Sequence, residues 1–195
     1  NKLNIDKLHG ILLHETRLLS NKYGELIWKA LDAIKTQTLS QNIGISIYDP
    51  SEISKINQDY SFDIIQAPFN VLDKRIESSG LLEEISKKNK ELHVRSIFLQ
   101  GLLLMDPSSR PSQFNRWNDV WSRWEEWLNY NNSSPLEACI NFACSNHRIN
   151  KVIVGVDSLS QIKKIISTAA LQKKPMKFPD IQSIDEDLIN PSNWK

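Results

Sequence analysis

The stretch LHGILLHETRLLSNKYGELIWKALDAIKTQTLSQNIGISIY, residues 8–48, holds two short apolar runs separated by a longer amphipathic segment. The runs at 8–14 and 41–48 predict buried strands, and the segment 24–38 predicts a helix with one apolar face. No hairpin turn joins the two runs, so the strands are expected to be parallel. The stretch therefore predicts a strand–helix–strand unit of an α/β fold.

The same alternation continues along the rest of the chain. Further strands are predicted at 62–67, 92–98 and 151–156, and further helices near 51 and at 80–89, 114–130, 134–146 and 158–170. Ser134 is expected to be the N-cap of its helix, with Pro135 at the first position. Residues 1–195 are thus predicted to form a single domain of about five parallel βα units with right-handed crossovers. The segment 173–195 carries prolines among acidic residues and is predicted to be an irregular tail.

Composition narrows the classes of partner. The net charge is +1 and Lys and Arg are scattered, so no basic face for nucleic acid is predicted. The apolar run at 97–105 is shorter than the ~20 residues that a membrane-spanning helix needs, so no membrane partner is expected. No secretory signal pattern stands at the start of the sequence. A signal could still precede Asn1, and these features predict a soluble protein.

Two sets of side chains are interpreted as structural. Cys139 and Cys144 lie in a helical pattern that suits neither a disulfide framework nor metal-ligand spacing, so both are expected to be buried thiols in a reducing cytoplasm, and no metal site is predicted. Four tryptophans at helical spacing predict a packing surface, with a sugar-binding platform as the alternative. They are Trp117, Trp121, Trp124 and Trp127.

Polar residues stand where the predicted strands end. Taken singly, a His there can be a hydrogen-bonded core residue, a Ser or Gln can cap a helix, and a Gly can allow a turn. Taken together, they would converge, because the carboxyl ends of parallel strands lie at one end of a βα barrel. They are His14, Ser46, Gln66, Asn70, Ser96, Gln100 with Gly101, and the loop that begins at Gly155.

Five motifs occur in an order and spacing that resemble the aldo/keto reductase family. They are LHGILLHET (8–16), NIGISIYDP (42–50), DIIQAPFNVLDKR (63–75), VRSIFLQGLLLMDP (94–107) and VIVGVDSLSQI (152–162). The resemblance is to a bacterial branch with an RSIFLQGLLL-type seventh strand. It implies a (β/α)₈ TIM barrel that is partial here, with strands four to eight present. The family's catalytic Asp, Tyr and Lys belong to the first three strands, which the resemblance does not cover.

The resemblance also implies roles for single residues. His14 matches the catalytic His, which orients the substrate carbonyl, and Ser46 and Gln66 match the residues that hold the nicotinamide carboxamide. Arg95 stands where many members stack an aromatic ring on the nicotinamide. The remaining cofactor-binding residues implied are Ser96, Phe98, Gln100 and Gly101 around the pyrophosphate, and Gly155 and Gln161 after the eighth strand.

The chain departs from the family pattern at three places. Ile47 replaces an Asn that often follows the carboxamide-binding Ser, and Lys164 with Ile165 replaces a Glu-Asn pair for adenine. Asp157 stands where the family has a cation for the 2′-phosphate of NADP. An acid at this place favours a free ribose hydroxyl in dinucleotide-binding Rossmann folds. NADP is the cofactor that the resemblance implies, and NAD stays open.

The resemblance therefore implies a cytoplasmic, NAD(P)-dependent oxidoreductase that reduces a small-molecule aldehyde or ketone, sugar carbonyls included. The present chain alone is expected to be inactive, because the proton-donating Tyr and its Lys fall outside it. A non-catalytic partial barrel that binds a ligand or partner is the alternative, and a different phosphate-binding barrel enzyme is a third reading. The oligomeric state is left open.

Overall fold

The fold is taken from a computed structural model, which describes residues 4–56, 60–171 and 176–194. Five strands form one sheet in the order β1-β2-β3-β4-β5, so that neighbours in the sheet follow one another along the chain. The pairs β1–β2 and β2–β3 are parallel, as predicted. The strands are β1 (Leu8–Leu13), β2 (Ser40–Ser46), β3 (Ile64–Pro68), β4 (Glu91–Arg95) and β5 (Lys151–Val152).

Helices separate the strands. They are α1 (Gly24–Thr36), α2 (Arg75–Ser78), α3 (Leu81–Lys87), α4 (Asn118–Tyr130), α5 (Pro135–Ser145), α6 (Leu159–Ala170) and α7 (Glu186–Ile189). Ser134 is the N-cap of α5, as predicted, and it forms a reciprocal capping box with Glu137. Hydrogen bonds from Ser134 to the Glu137 carboxylate lower the pKa of that group. The strand–helix alternation predicted from periodicity is therefore confirmed.

Several elements differ from their predicted bounds, and β4 ends at Arg95 instead of residue 98. The helix predicted at 80–89 is shorter, as α3, and the one predicted at 114–130 begins as a 3-10 helix over Ser112–Trp117. The strand predicted at 151–156 is only two residues long, although the Ile153 N–H still bonds to the Val94 carbonyl. Among the described residues β5 is the last strand in the sheet order, so the rest of its apolar run lies at a sheet edge.

The predicted tail holds some regular structure. Its residues 173–175 and 195 lie outside the described part of the chain. Further along, α7 is capped by the Asp185 side chain, and Leu188 is fully buried. Arg116 forms ion pairs with both Asp185 and Asp187, which fasten α7 to the residues that precede α4.

The chain forms two compact units. Unit 1 is Asn1–Ala67 with Ile76–His93, and unit 2 is Pro68–Arg75 with Val94–Lys195. In unit 1, α1 packs on β2, whose Ile43 and Ile45 are fully buried. In unit 2, α5 packs on α6, and Trp121 and Trp124 of α4 are fully buried. The interpretation of the tryptophan stripe as a packing surface agrees with this burial.

The two thiols both lie on α5 and are free. Cys139 is buried, as predicted, whereas the prediction of burial is wrong for Cys144, which lies near the end of α5 and is partly exposed. Burial raises the pKa of Cys139 far above its ordinary value, which makes this thiol unreactive. Within the described residues, no helix is long and apolar enough to cross a membrane.

Close packing between β2 and β3 depends on a glycine. Gly44 is paired with Ile64, and a Cβ added to Gly44 would lie 2.8 Å from Cβ of Ile64 and closer still to its carbonyl oxygen. Any side chain at 44 would therefore push the two strands apart. The same register places Ser46 opposite Gln66, two residues further along both strands.

Gly44→Ala should lower the free energy of unfolding, because the added methyl meets backbone that cannot move without breaking the strand pairing. Overpacking of this kind costs about 1–3 kcal/mol. Gly155→Ala is the matched control, since nothing lies within 4 Å of its added Cβ, and a change within about 0.5 kcal/mol is expected. Urea unfolding followed by circular dichroism measures both variants. Equal stability of the two would contradict the close-packing argument.

Candidate functional site

Ser46 and Gln66 form a polar pair within unit 1. Ser46 ends β2 and is 3% exposed, and its hydroxyl donates a 3.1 Å hydrogen bond to Oε1 of Gln66 on β3. Because the Gln66 oxygen is engaged in this bond, its NH₂ group keeps two donor hydrogens for another acceptor. The strand register thus brings together the two residues predicted to hold a carboxamide.

His14 directly follows the end of β1 and is exposed. Its ring lies edge-on to the ring of Tyr48, with 6.3 Å between the ring centroids. The segment after His14 is held in place by Thr16, whose hydroxyl donates to the Glu52 carboxylate. His14 and Ser46 therefore lie at the same end of their two strands. The imidazole of His14 is accessible there, which a group that acts on a bound substrate requires.

Unit 2 contains a cavity of about 680 Å³. Four segments line it: the loop after β4, the start of α5, the segment after β5 and the first half of α6. All the residues of unit 2 that the sequence predicted to bind cofactor line this cavity. They are Arg95, Ser96, Phe98, Gln100, Gly101, Gly155 and Gln161. Its volume lies within the range of about 300–1,000 Å³ that is typical of small-molecule and cofactor sites.

The loop after β4 has an unusual backbone. Ser96, Leu99 and Gln100 all have positive φ angles of 59°, 47° and 53°, and Gly101 follows with 86°. Positive φ is uncommon for residues other than glycine, and a cluster of such residues is typical of functional loops. The N–H groups of Leu99 and Gly101 donate to the carbonyls of Ser96 and Phe98, so these turns fix the shape of the loop.

Asn70 fixes the start of this loop, a role that sequence reasoning missed. Its side-chain NH₂ donates to the Ser96 carbonyl at 3.0 Å, while its Oδ1 accepts from the N–H groups of Leu72 and Asp73. Asp73 in turn forms a two-point ion pair with Arg75, and its side chain is 1% exposed. An Asn directly after a strand is a sequence signal for such a role. Its partner, the Ser96 carbonyl, lies 26 residues further along the chain, so the pairing itself could not be predicted from local sequence.

Gln161, one of the predicted cofactor-binding residues, has a structural role at the start of α6. Ser158 is the N-cap and accepts from the Gln161 N–H, and the Gln161 side-chain oxygen accepts from the Asp157 N–H at 2.7 Å. Lys164 lies one turn further along α6 and lines the cavity together with Asp157. The cavity wall therefore carries one acidic and two basic side chains, counting Arg95.

Comparison with known proteins supports one family. The sequence profile of the aldo/keto reductase family matches residues 2–186, which is nearly the whole chain. The chain belongs to the aldo/keto reductase family. No curated protein sequence matches it significantly.

Solved aldo-keto reductases share the fold. One from Bacillus halodurans, solved in holo and apo forms, has a TM-score of 0.69 and 17% sequence identity, over 89% of this chain. A thermostable aldo-keto reductase in complex with the inhibitor epalrestat has a TM-score of 0.60 and 16% identity, over 88% of this chain. The match covers 59% and 57% of those two reductases, so the present chain spans less than two thirds of their length. The fold is thus that of a partial TIM barrel, as predicted.

The capping role of Gln161 can be tested by amide hydrogen exchange. Gln161→Ala removes the acceptor for the Asp157 N–H, and the loss of about 1 kcal/mol should speed exchange of that amide roughly fivefold. Gln161→Glu is the matched control, because its carboxylate still offers an acceptor near the helix N-terminus. Equal acceleration in both variants would show that the side-chain oxygen does not hold this turn.

Proposed function

We propose that the protein to which these residues belong is a nicotinamide-dependent oxidoreductase that reduces an aldehyde or a ketone. One observation carries the proposal: all the residues of unit 2 that the sequence assigned to dinucleotide binding line a single cavity. The family motifs that imply these roles are sequence patterns and carry no information about cavities. Their agreement with one concave surface supports a cofactor site there.

The donor set of the chain suits such a cofactor. The Ser96 hydroxyl can donate to a pyrophosphate oxygen, and Arg95 and Lys164 add positive charge to the cavity wall. In unit 1, the Ser46–Gln66 pair offers donors and an acceptor group of the kind that a carboxamide needs. When bound, the cofactor supplies the hydride. The Bacillus halodurans aldo-keto reductase was solved in a holo and an apo form, which agrees with the proposal that this family member binds a cofactor.

The charges around the cavity bear on the choice of cofactor. Asp157 opposes a 2′-phosphate, while Lys164, six residues after the N-cap Ser158, favours one. We take NADP as the cofactor to test first, with NAD beside it.

The substrates that we propose are small aldehydes and ketones, including sugar carbonyls. The free Cys139 and Cys144 suit a reducing compartment, so we propose a cytoplasmic location.

The proposed reaction needs a proton as well as a hydride. The exposed His14 imidazole can donate a hydrogen bond to a carbonyl oxygen, which polarises that bond, but the alkoxide formed also needs a proton donor. By family resemblance, that donor is a Tyr on strands outside this chain. Leu159 and Ile166 on α6 are 68% and 61% exposed. Their exposure supports the proposal that further βα units of the protein cover this face of the helix.

Cofactor binding should depend on the Ser46–Gln66 pair. Ser46→Ala and Gln66→Ala each remove one hydrogen-bonding group, which costs about 0.5–1.5 kcal/mol and weakens binding roughly two- to tenfold. Because the two side chains bond to each other, the double variant should lose less than the sum of the single losses. Fluorescence titration with NADPH and NADH side by side measures these affinities.

Gln37→Ala is the matched control for this titration, because Gln37 is an exposed residue at the end of α1. It should leave both affinities unchanged. Negligible binding of both dinucleotides by the full-length protein would contradict the enzyme proposal and favour a non-catalytic relative. An equal loss in all three single variants would point to misfolding rather than to a carboxamide site.

The 195-residue chain itself should bind cofactor weakly and reduce nothing. NADPH oxidation followed by absorbance with a panel of small aldehydes tests this, with the full-length protein and a His14→Ala variant of each in parallel. The full-length protein should turn over, and its His14→Ala variant should lose about 10²–10⁴-fold in rate. Turnover by the short chain would mean that it holds a proton donor, and Tyr48→Phe would then identify the ring beside His14.

A further inference from the structure

Three side chains with metal-binding atoms meet in unit 1. His9 lies near the start of β1, and Glu91 and His93 lie in β4, two positions apart and hence on the same face of the strand. Oε2 of Glu91 lies 2.9 Å from Nε2 of His9 and 2.8 Å from Nε2 of His93. One carboxylate oxygen and two imidazole nitrogens thus converge, all within 4.8 Å of one another.

The histidine–glutamate cluster, His9 with Glu91 and His93, has a buried side and an open side. The His93 side chain is 6% exposed, Glu91 is 30% exposed and His9 is 44% exposed. The two imidazole rings lie nearly parallel, with 6.2 Å between their centroids. A bound ion would therefore have a fixed buried ligand on one side and access to solvent, and to a further water ligand, on the other.

We propose that the histidine–glutamate cluster binds a divalent transition metal ion, with Zn²⁺ as the ion that its donors suit best. Two imidazoles and one carboxylate form a ligand set known for zinc, whereas Mg²⁺ and Ca²⁺ prefer oxygen ligands. Three protein ligands leave one position of a tetrahedral ion for solvent, and His9 lies at the exposed side where that position would be.

Small movements convert the cluster into a coordination site. Ligand atoms around a tetrahedral zinc ion with bonds of ~2.1 Å are ~3.4 Å apart. The Glu91 oxygen lies slightly closer than this to each nitrogen, so both of these pairs would open slightly around a central ion. The two nitrogens, which lie within 4.8 Å of each other, would adjust toward the same spacing. The exposed His9 side chain has room for this movement. The ion would replace hydrogen bonds in which Glu91 accepts from both rings.

The proposed ion would join strands that are not neighbours. Strands β1 and β4 are separated by β2 and β3 in the sheet order, so no backbone hydrogen bond connects them directly. An ion held by His9 and His93 would cross-link them near their amino ends. In unit 1 this is the end of β1 opposite to His14, so the ion would stabilise the strands rather than act on a carbonyl.

The test uses the chain without an affinity tag and the metal ions alone as probes. Isothermal titration should show one Zn²⁺ per chain, Co²⁺ should give the visible absorption of a tetrahedral site, and Mg²⁺ should not bind. His9→Ala and Glu91→Gln should each weaken Zn²⁺ binding at least about tenfold, since each loses one ligand. Zn²⁺ should also raise the Tm of the unsubstituted chain but not that of His9→Ala.

His147→Ala is the matched control, because His147 is an exposed histidine outside the cluster. It should leave Zn²⁺ affinity unchanged. If the buried His93→Ala variant fails to fold, the exposed His9→Ala variant still decides the question. Absence of Zn²⁺ binding, or binding that His9→Ala leaves intact, would overturn the proposal and reduce the cluster to a hydrogen-bonded group. Cofactor titration is independent of this outcome, so the proposed reductase function stands or fails separately.

Discussion

The packing of Ile64 over two glycines is the contact on which unit 1 depends. Gly44 faces the backbone of Ile64, and a Cβ added to Gly10 would collide with its Cδ1. Ile64 is fully buried, so its side chain fills the space that these glycines leave. This fit fixes the register of β2 against β3, because a slip of one residue would set a side chain against the Ile64 backbone. The Ser46–Gln66 pair exists only in this register.

The loop after β4 depends on a different constraint. Residues in left-handed conformations other than glycine are strained by an amount of order 1 kcal/mol each, which the surroundings must offset. Asn70 supplies part of this by holding the Ser96 carbonyl, and the fully buried Leu102 and Leu103 anchor the other end of the loop. Strain held between two fixed ends gives a preformed loop, which is what an anion site needs to avoid ordering costs on binding.

Local patterns predicted most of the fold but not its long-range contacts. Ser134 as N-cap and the strand at Leu8 could be read from sequence, because capping and burial periodicity act over a few residues. The short β5 could not, since strand length there depends on a neighbour that the apolar run does not reveal. Seven of the residues that line the cavity of unit 2 were implied by family motifs, yet the use of Gln161 as a cap came only from the structure.

The histidine–glutamate cluster shows why sequence spacing missed a candidate site. Sequence patterns for metal sites rely on ligands close together in the chain, but His9 and Glu91 are 82 residues apart and meet only through the sheet. In parallel βα folds the carboxyl ends of strands carry the chemistry and the amino ends carry stability. Within β1, His14 follows the carboxyl end and His9 lies near the amino end, so one short strand contributes to both. A polar residue at the carboxyl end of such a strand is therefore a candidate for catalysis or binding, whereas one at the amino end is a candidate for stabilising the sheet.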